Sequence, residues 1–124
     1  MVGGQSRGSH VLLDYRNYSS TEENDGRWML HLIRECVRES GIREVHSHVE
    51  IFDGGLSPPG FAAVVLIDES HVTAHCYSEI GLLAIDVFTC GDHDPDGVAE
   101  LIHERLISED ASIVLDKRQR VARF

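Results

Sequence analysis

The chain is expected to fold as α/β (α+β), a two-layer sandwich with a mostly antiparallel sheet covered by two helices. Three observations carry that expectation. Two stretches repeat their apolar residues with the period of a helix, and several short runs alternate with a period of two or are apolar throughout. Their order is β-α-β-β-β-α-β, two helices for about five strands, with no internal repeat. With 124 residues, 42% of them hydrophobic and 26% charged, residues 1–124 read as one soluble domain.

Each element has its own signal. Residues 1–9 (MVGGQSRGS) are rich in Gly and Ser and read as loose, and residues 10–15 (HVLLDY) as a first strand. Ser19, Ser20 and Thr21, followed by Glu22 and Glu23, make a helix start with acids at the positive end of the dipole. Trp28, Met29, Leu32, Ile33, Cys36 and Val37 then line one helix face, and Ser40-Gly41 ends it. In residues 43–52, Val45, Val49 and Ile51 point one way while Glu44, His46, His48 and Glu50 point the other. Residues 53–60 (DGGLSPPG) form a loop. Residues 61–67 (FAAVVLI) are apolar on both faces, as in a strand between two layers.

Residues 71–77 are a further strand. In residues 82–90 (LLAIDVFTC), Leu83, Ile85 and Val87 share one face, and Asp86, Phe88 and Cys90 the other. Asp94-Pro95 caps a second helix whose stripe is Val98, Leu101, Ile102 and Leu106. Residues 112–115 (SIVL) are a last strand before a basic tail of Lys117, Arg118, Arg120 and Arg123.

Composition excludes several functions. The net charge of -10 argues against a nucleic-acid partner and is compatible with a cationic small substrate. No apolar run approaches the ~20 residues that cross a bilayer, and the charged N-terminus is no signal peptide, so no membrane partner and a cytoplasmic location are expected. Cys36, Cys76 and Cys90 are an odd set with no CxxC pair, which argues against a disulfide framework.

Taken alone, Ser70 reads as a turn serine between two strands, Cys90 as a small buried hydrophobe and His75 as a packed or solvated strand histidine. His46 and His48 share a face, but no third ligand is spaced to complete a metal site. There is no G-x-S-x-G elbow for a serine hydrolase, and Gly54-Gly55 lacks the pattern and the Lys of a phosphate loop.

Taken together, two segments resemble the bacterial and archaeal S-adenosylmethionine decarboxylase proenzyme family. They are Glu69-Ser70-His71-Val72-Thr73-Ala74-His75 and Ala84-Ile85-Asp86-Val87-Phe88-Thr89-Cys90-Gly91, with five residues from Ser70 to His75 and twenty from Ser70 to Cys90, the family spacing. The similarity runs from Gly8-Ser9-His10 to the second helix. It implies that the bond between Glu69 and Ser70 is cleaved autocatalytically, giving a β-chain of residues 1–69 and an α-chain of residues 70–124. Ser70 would become a pyruvoyl group that holds substrate as a Schiff base. By the same resemblance His75 is the proton acceptor in processing and Cys90 the proton donor in decarboxylation. Neither a metal nor PLP is implied.

Since residues five apart on a regular strand face opposite sides, a bulge or turn near Ser70-His71 is expected to let Ser70 meet His75. The chain also departs from the family pattern. Tyr77 stands where the family has an adenine-stacking Trp, and Glu79 matches its ribose-binding acid. Leu56 stands at a second stacking position, which Phe52 or Phe61 would fill only after a loop shift. Ala62 replaces a serine that assists processing. The implied substrate is therefore S-adenosylmethionine or, with the same chemistry, a basic amino acid such as arginine or ornithine. An unprocessed regulatory homologue is the non-enzymatic alternative. The resemblance further implies a homodimer with facing sheets and active sites near the interface.

Overall fold

The computed structural model describes residues 7–124. One six-stranded sheet runs β2-β3-β4-β5-β1-β6, and every neighbouring pair is antiparallel. The strands are β1 (Gly8–Arg16), β2 (Glu44–Phe52), β3 (Gly60–Ile67), β4 (Ser70–Tyr77), β5 (Leu82–Cys90) and β6 (Val114–Arg123). Two helices, α1 (Asp25–Glu39) and α2 (Pro95–Glu109), cover one face, α1 over β2 and β3 and α2 over β1 and β5. The two helices and the antiparallel sheet agree with the sequence. The strand count is six, one for each strand segment named in the sequence and one more than the order β-α-β-β-β-α-β counts, with β4 and β5 joined by a single 3-10 turn, Ser78–Ile80.

The core lies between this sheet face and the helices. Met29, Ile33, Cys36 and Val37 of α1 and Val98, Ala99, Ile102 and Leu106 of α2 are shut away from solvent against Val11, Leu13, Val65, Val72, Ile85 and Val87. Each large apolar side chain so buried contributes roughly 1.5–3 kcal/mol. The helix α1 starts later than Ser19–Thr21 suggest. Asn24 is the cap, accepting from the Arg27 N–H, and Ser20 instead accepts from Glu22 N–H in a local turn. Asp94 caps α2 as expected, accepting from Asp96 N–H ahead of Pro95.

Two ends of the chain differ from expectation. Gly8 and Ser9 belong to β1 rather than to a loose segment, while residues 1–6 lie outside the described residues. The basic tail is itself the strand β6, paired with β1 along its length. Its Arg118 and Arg120 turn to the helix face and bind Asp96 and Glu100 of α2. A charged edge strand of this kind carries no apolar alternation for a sequence pattern to detect.

Candidate active site at two ends of an open sheet face

The face of the sheet away from the helices is open. Alternation puts His71, Thr73, His75 and Tyr77 of β4 on it, with Leu82, Ala84, Asp86, Phe88 and Cys90 of β5, and Gly8, His10, Leu12 and Asp14 of β1. Ser70 faces the other way. Its side chain is turned to the helix layer with Val72, Ala74 and Cys76, and its hydroxyl is buried without a hydrogen-bond partner.

Ser70 opens β4 immediately after a two-residue turn, Asp68-Glu69, that links Ile67 of β3 to it. Glu69 has φ 59°, a left-handed conformation that is strained for any residue with a Cβ. No bulge follows: the β3–β4 ladder runs unbroken from Ile67–Ser70 to Gly60–Tyr77. The expected irregularity at Ser70-His71 is therefore absent, because both residues are locked in pairs on β3 and His71 also pairs with Phe88. The distorted backbone sits one residue earlier, at the carbonyl that precedes Ser70.

The consequence is that Ser70 and His75 stay on opposite faces, about 17 Å apart along the strand. The sequence-identified residues fall into two groups. At one end stand Glu69, Ser70 and Cys90, with Thr89 one step beyond the His71–Phe88 pair. At the other stand His75, paired with Ala62 and Ala84, then Tyr77 and Glu79. Leu56 is fully exposed in the loop that closes this second end. Phe61 is core, packed edge-on to Tyr18, and is unavailable for stacking. Phe52 is placed differently. It pairs with Gly60, which pairs with Tyr77, so the two rings flank a position with no side chain, and no loop shift is needed.

Between the two ends lies a polar cluster that the motifs did not single out. Thr73 donates to Asp86 at 3.2 Å, and His10 Nε2 stands 3.4 Å from the other oxygen of Asp86 without the geometry of a hydrogen bond. The rings of His10, His71 and Phe88 pack together with centroids 5.4–6.2 Å apart, and the Arg123 guanidinium lies over Phe88. Burial, reinforced by the neighbouring His10, holds the His71 pKa below its ordinary value. The signal for this cluster was present in β5, whose alternation already placed Asp86 beside Phe88 and Cys90.

Cys90 is half-buried and lies opposite Gly8, where any Cβ would come within 3.3 Å of its sulfur. A polar cleft of about 450 Å3, with Arg7, Ser9, Thr89, His93 and Arg120 in its lining, opens at the same end. Ser9 and Arg120 place it on the helix side of the sheet, whereas the Cys90 thiol faces the other side. That cleft therefore does not by itself unite the predicted residues.

A two-layer α+β fold whose strand hairpin leads from a left-handed Glu69 into a buried Ser70, with a cysteine at the same end, defines a class. The family model described as S-adenosylmethionine decarboxylase matches residues 9–119, and the chain belongs to that family. A relative from Clostridium tetani, named S-adenosylmethionine decarboxylase proenzyme, is 32% identical over 114 residues, 90% of this chain and 86% of that protein. Another, S-adenosylmethionine decarboxylase proenzyme 1 of Bacillus cereus, is 36% identical over 102 residues, 80% of this chain and 74% of that protein. The crystal structure of the adenosylmethionine decarboxylase from Aquifex aeolicus superposes with a TM-score of 0.69 at 26% identity, covering 96% of this chain and 92% of that one.

Proposed function

We propose that the chain is a self-processing, pyruvoyl-dependent S-adenosylmethionine decarboxylase, a carboxy-lyase of the cytoplasm that supplies aminopropyl groups for spermidine synthesis. The observation that carries this reading is the left-handed Glu69 immediately before a buried, unpartnered Ser70 hydroxyl. A hydroxyl held by no other group is free to attack the adjacent carbonyl, and backbone strain at Glu69 raises the starting state toward the ester that replaces the amide.

Self-cleavage proceeds by an N-to-O acyl shift followed by an elimination. Ser70 Oγ bonds to the Glu69 carbonyl carbon, its proton passes to the Ser70 nitrogen, and the Glu69–Ser70 C–N bond breaks, leaving an ester and a free Ser70 amine. His75 takes the Ser70 α-proton, and the Ser70 Cβ–O bond breaks, releasing Glu69 as a carboxylate. The enamine left at residue 70 takes up water and loses ammonia, leaving a ketone. These residues fit a pyruvoyl group, which supplies the electron sink that α-decarboxylation of an amino acid requires. Cys90, at the same end, holds the proton that is returned to the substrate α-carbon. Tyr77 and Phe52 hold the base between their rings, and Glu79 accepts from the ribose hydroxyls.

Within one sheet His75 cannot reach the Ser70 α-carbon. A second copy docked on the open face would bring its His75 to that carbon, on the side opposite the Ser70 hydroxyl, which faces the helices. The open face carries Leu66, Leu82 and Val121, each more than two-fifths exposed, beside half-buried Leu12, Val64 and Phe88. Pairing two such faces about a two-fold axis that lies between the sheets and across the strands buries this surface. It also lays the His75 end of one β4 over the Ser70 end of the other. The homodimer thus has two composite sites.

Intact mass and a denaturing gel test the reading. Purified protein should separate into chains of 69 and 55 residues, their sum being the full 124, and Ser70→Ala should stay whole. Carbon dioxide should then be released from S-adenosylmethionine. A wild-type chain that stays at full length overturns self-processing and favours a regulatory homologue. A cleaved chain that turns over arginine or ornithine alone overturns the substrate.

A further inference from the structure

The scissile turn is gripped from outside by a residue that belongs to neither motif. Arg43, directly before β2, sends Nε to both carboxylate oxygens of Asp68 at 3.1 and 3.2 Å, and Nη2 to one of them at 2.6 Å. The Asp68 N–H donates in turn to the Arg43 carbonyl at 3.3 Å. Side chain and backbone together therefore tie Asp68, the first residue of the turn, to the start of β2.

The start of β2 is itself placed. A register shift between Glu44 and His46 makes Val45 an extra residue, so that Glu44 pairs with Ile67 and Arg43 comes opposite Asp68. Arg34 of α1 bonds Glu44 at 2.7 Å and ties the same point to the helix layer. On the far side of the scissile bond, Ser70 is fixed by its pairing with Ile67, and His71 by its pairing with Leu66 and Phe88. Glu69 lies between the two grips, and of the residues from Ile67 to His71 it is the one that carries the left-handed conformation.

We propose that Arg43 is a positioning residue for self-cleavage: by clamping Asp68 it prevents the turn from relaxing and keeps the distortion at the Glu69 carbonyl that Ser70 attacks. The proposal rests on the self-processing reading and goes beyond it in naming what holds Glu69, the residue before the scissile bond, in its left-handed conformation. Arg43 touches no reacting atom, and its effect is exerted through Asp68.

Stability and cleavage should therefore part company. Arg43 and Asp68 form a solvent-exposed ion pair, and such pairs contribute little to folding. The experiment follows the full chain after a pulse of cell-free synthesis, measuring conversion to the two fragments by gel and intact mass, with melting temperature measured alongside. Arg43→Ala should leave the melting temperature nearly unchanged and slow cleavage about tenfold, the rate equivalent of releasing one left-handed residue. Asp68→Ala should slow it equally, and the two together should be no slower than either alone, since they act as a unit. Exchanging the charges, Arg43→Asp with Asp68→Arg, should restore most of the rate. Glu69→Gly, which removes the cost of the conformation, should cleave slowly whether or not Arg43 is present.

A second readout isolates the first step. In a His75→Ala chain, which stops before elimination, hydroxylamine cuts only the ester, and Arg43→Ala should lower the fraction cut. The proposal is overturned if wild type cleaves and Arg43→Ala keeps pace with it, or if the hydroxylamine-sensitive fraction is the same with and without Arg43. A wild-type chain that never cleaves would instead overturn the self-processing reading on which the clamp depends.

Discussion

At the scale of single residues, the thiol of Cys90 owes its place to an absence. Gly8 pairs with Cys90 across β1 and β5, and a Cβ at position 8 would stand 3.1 Å from Phe88 Cε1 and 3.3 Å from the Cys90 sulfur. Gly8→Ala should therefore push the thiol aside without touching the scissile turn, which lies on another pair of strands. Cleavage should go to completion by intact mass, while carbon dioxide release should fall roughly ten- to a hundredfold, the usual result of misplacing a reacting group by a fraction of an ångström. Unchanged turnover in a fully cleaved Gly8→Ala protein would remove Cys90 from the role of proton donor. The spacing of Ser70, His75 and Cys90 was legible in the sequence, because motif residues keep fixed separations along strands. What the spacing could not convey was which of them share an end. Parity alone puts Ser70 and His75 on opposite faces, and the spacing does not decide between a bulge that reconciles them within one chain and a site reached in another way. Arg43 was invisible for a different reason: only a bulge at Val45, 25 residues earlier in the chain than Ser70, brings it to the turn.

At the scale of elements, the apolar strands and the two helices followed from periodicity, and the charged edge did not. β6 reads as a basic tail in the sequence because its Arg and Lys residues satisfy α2 and solvent rather than a core. The start of β3 depends on a contact that periodicity cannot express. Gly60 opens that strand, and a Cβ there would lie 1.9 Å from the Cys76 carbonyl oxygen of β4. No side-chain rotation relieves a clash with backbone, so Gly60→Ala should force the β3–β4 pair apart at the end that holds His75 and Tyr77. The expected cost is about 2–3 kcal/mol, as for other overpacked positions. It should appear as a drop in melting temperature with a raised KM for substrate, since Phe52 and Tyr77 flank this glycine. A melting temperature equal to wild type would mean that the strands separate here at no cost.

The whole molecule should have a stability window that its buried titratable groups define. His71 is held below its ordinary pKa of 6.5 by burial first, then by His10 and Arg123, with Asp86 opposing. Its native form is neutral, so below about pH 6.5 the unfolded chain binds the extra proton and stability falls as pH falls. At the other limit, burial pushes the Cys36 and Cys76 thiols from 9.0 up to about 11. The unfolded chain ionises them first, so stability falls again as pH rises above about 9. Calorimetry across this range should find a plateau between the two limits, with the alkaline decline reduced in Cys36→Ala. The proposed dimer with composite sites makes one further demand on the assembled molecule. A His75→Ala chain keeps its own Ser70 but lacks the base its partner needs, and a Ser70→Ala chain has the reverse defect. Expressed separately, neither chain should yield a pyruvoyl terminus. Co-expressed, they form mixed dimers in which His75 of the Ser70→Ala chain lies over Ser70 of the His75→Ala chain. Fragments should then appear from the His75→Ala chain alone, which a mass tag on either chain distinguishes. If co-expression yields no cleavage while the two chains copurify as a mixed dimer, His75 acts within its own chain, and β4 must leave the sheet for it to do so.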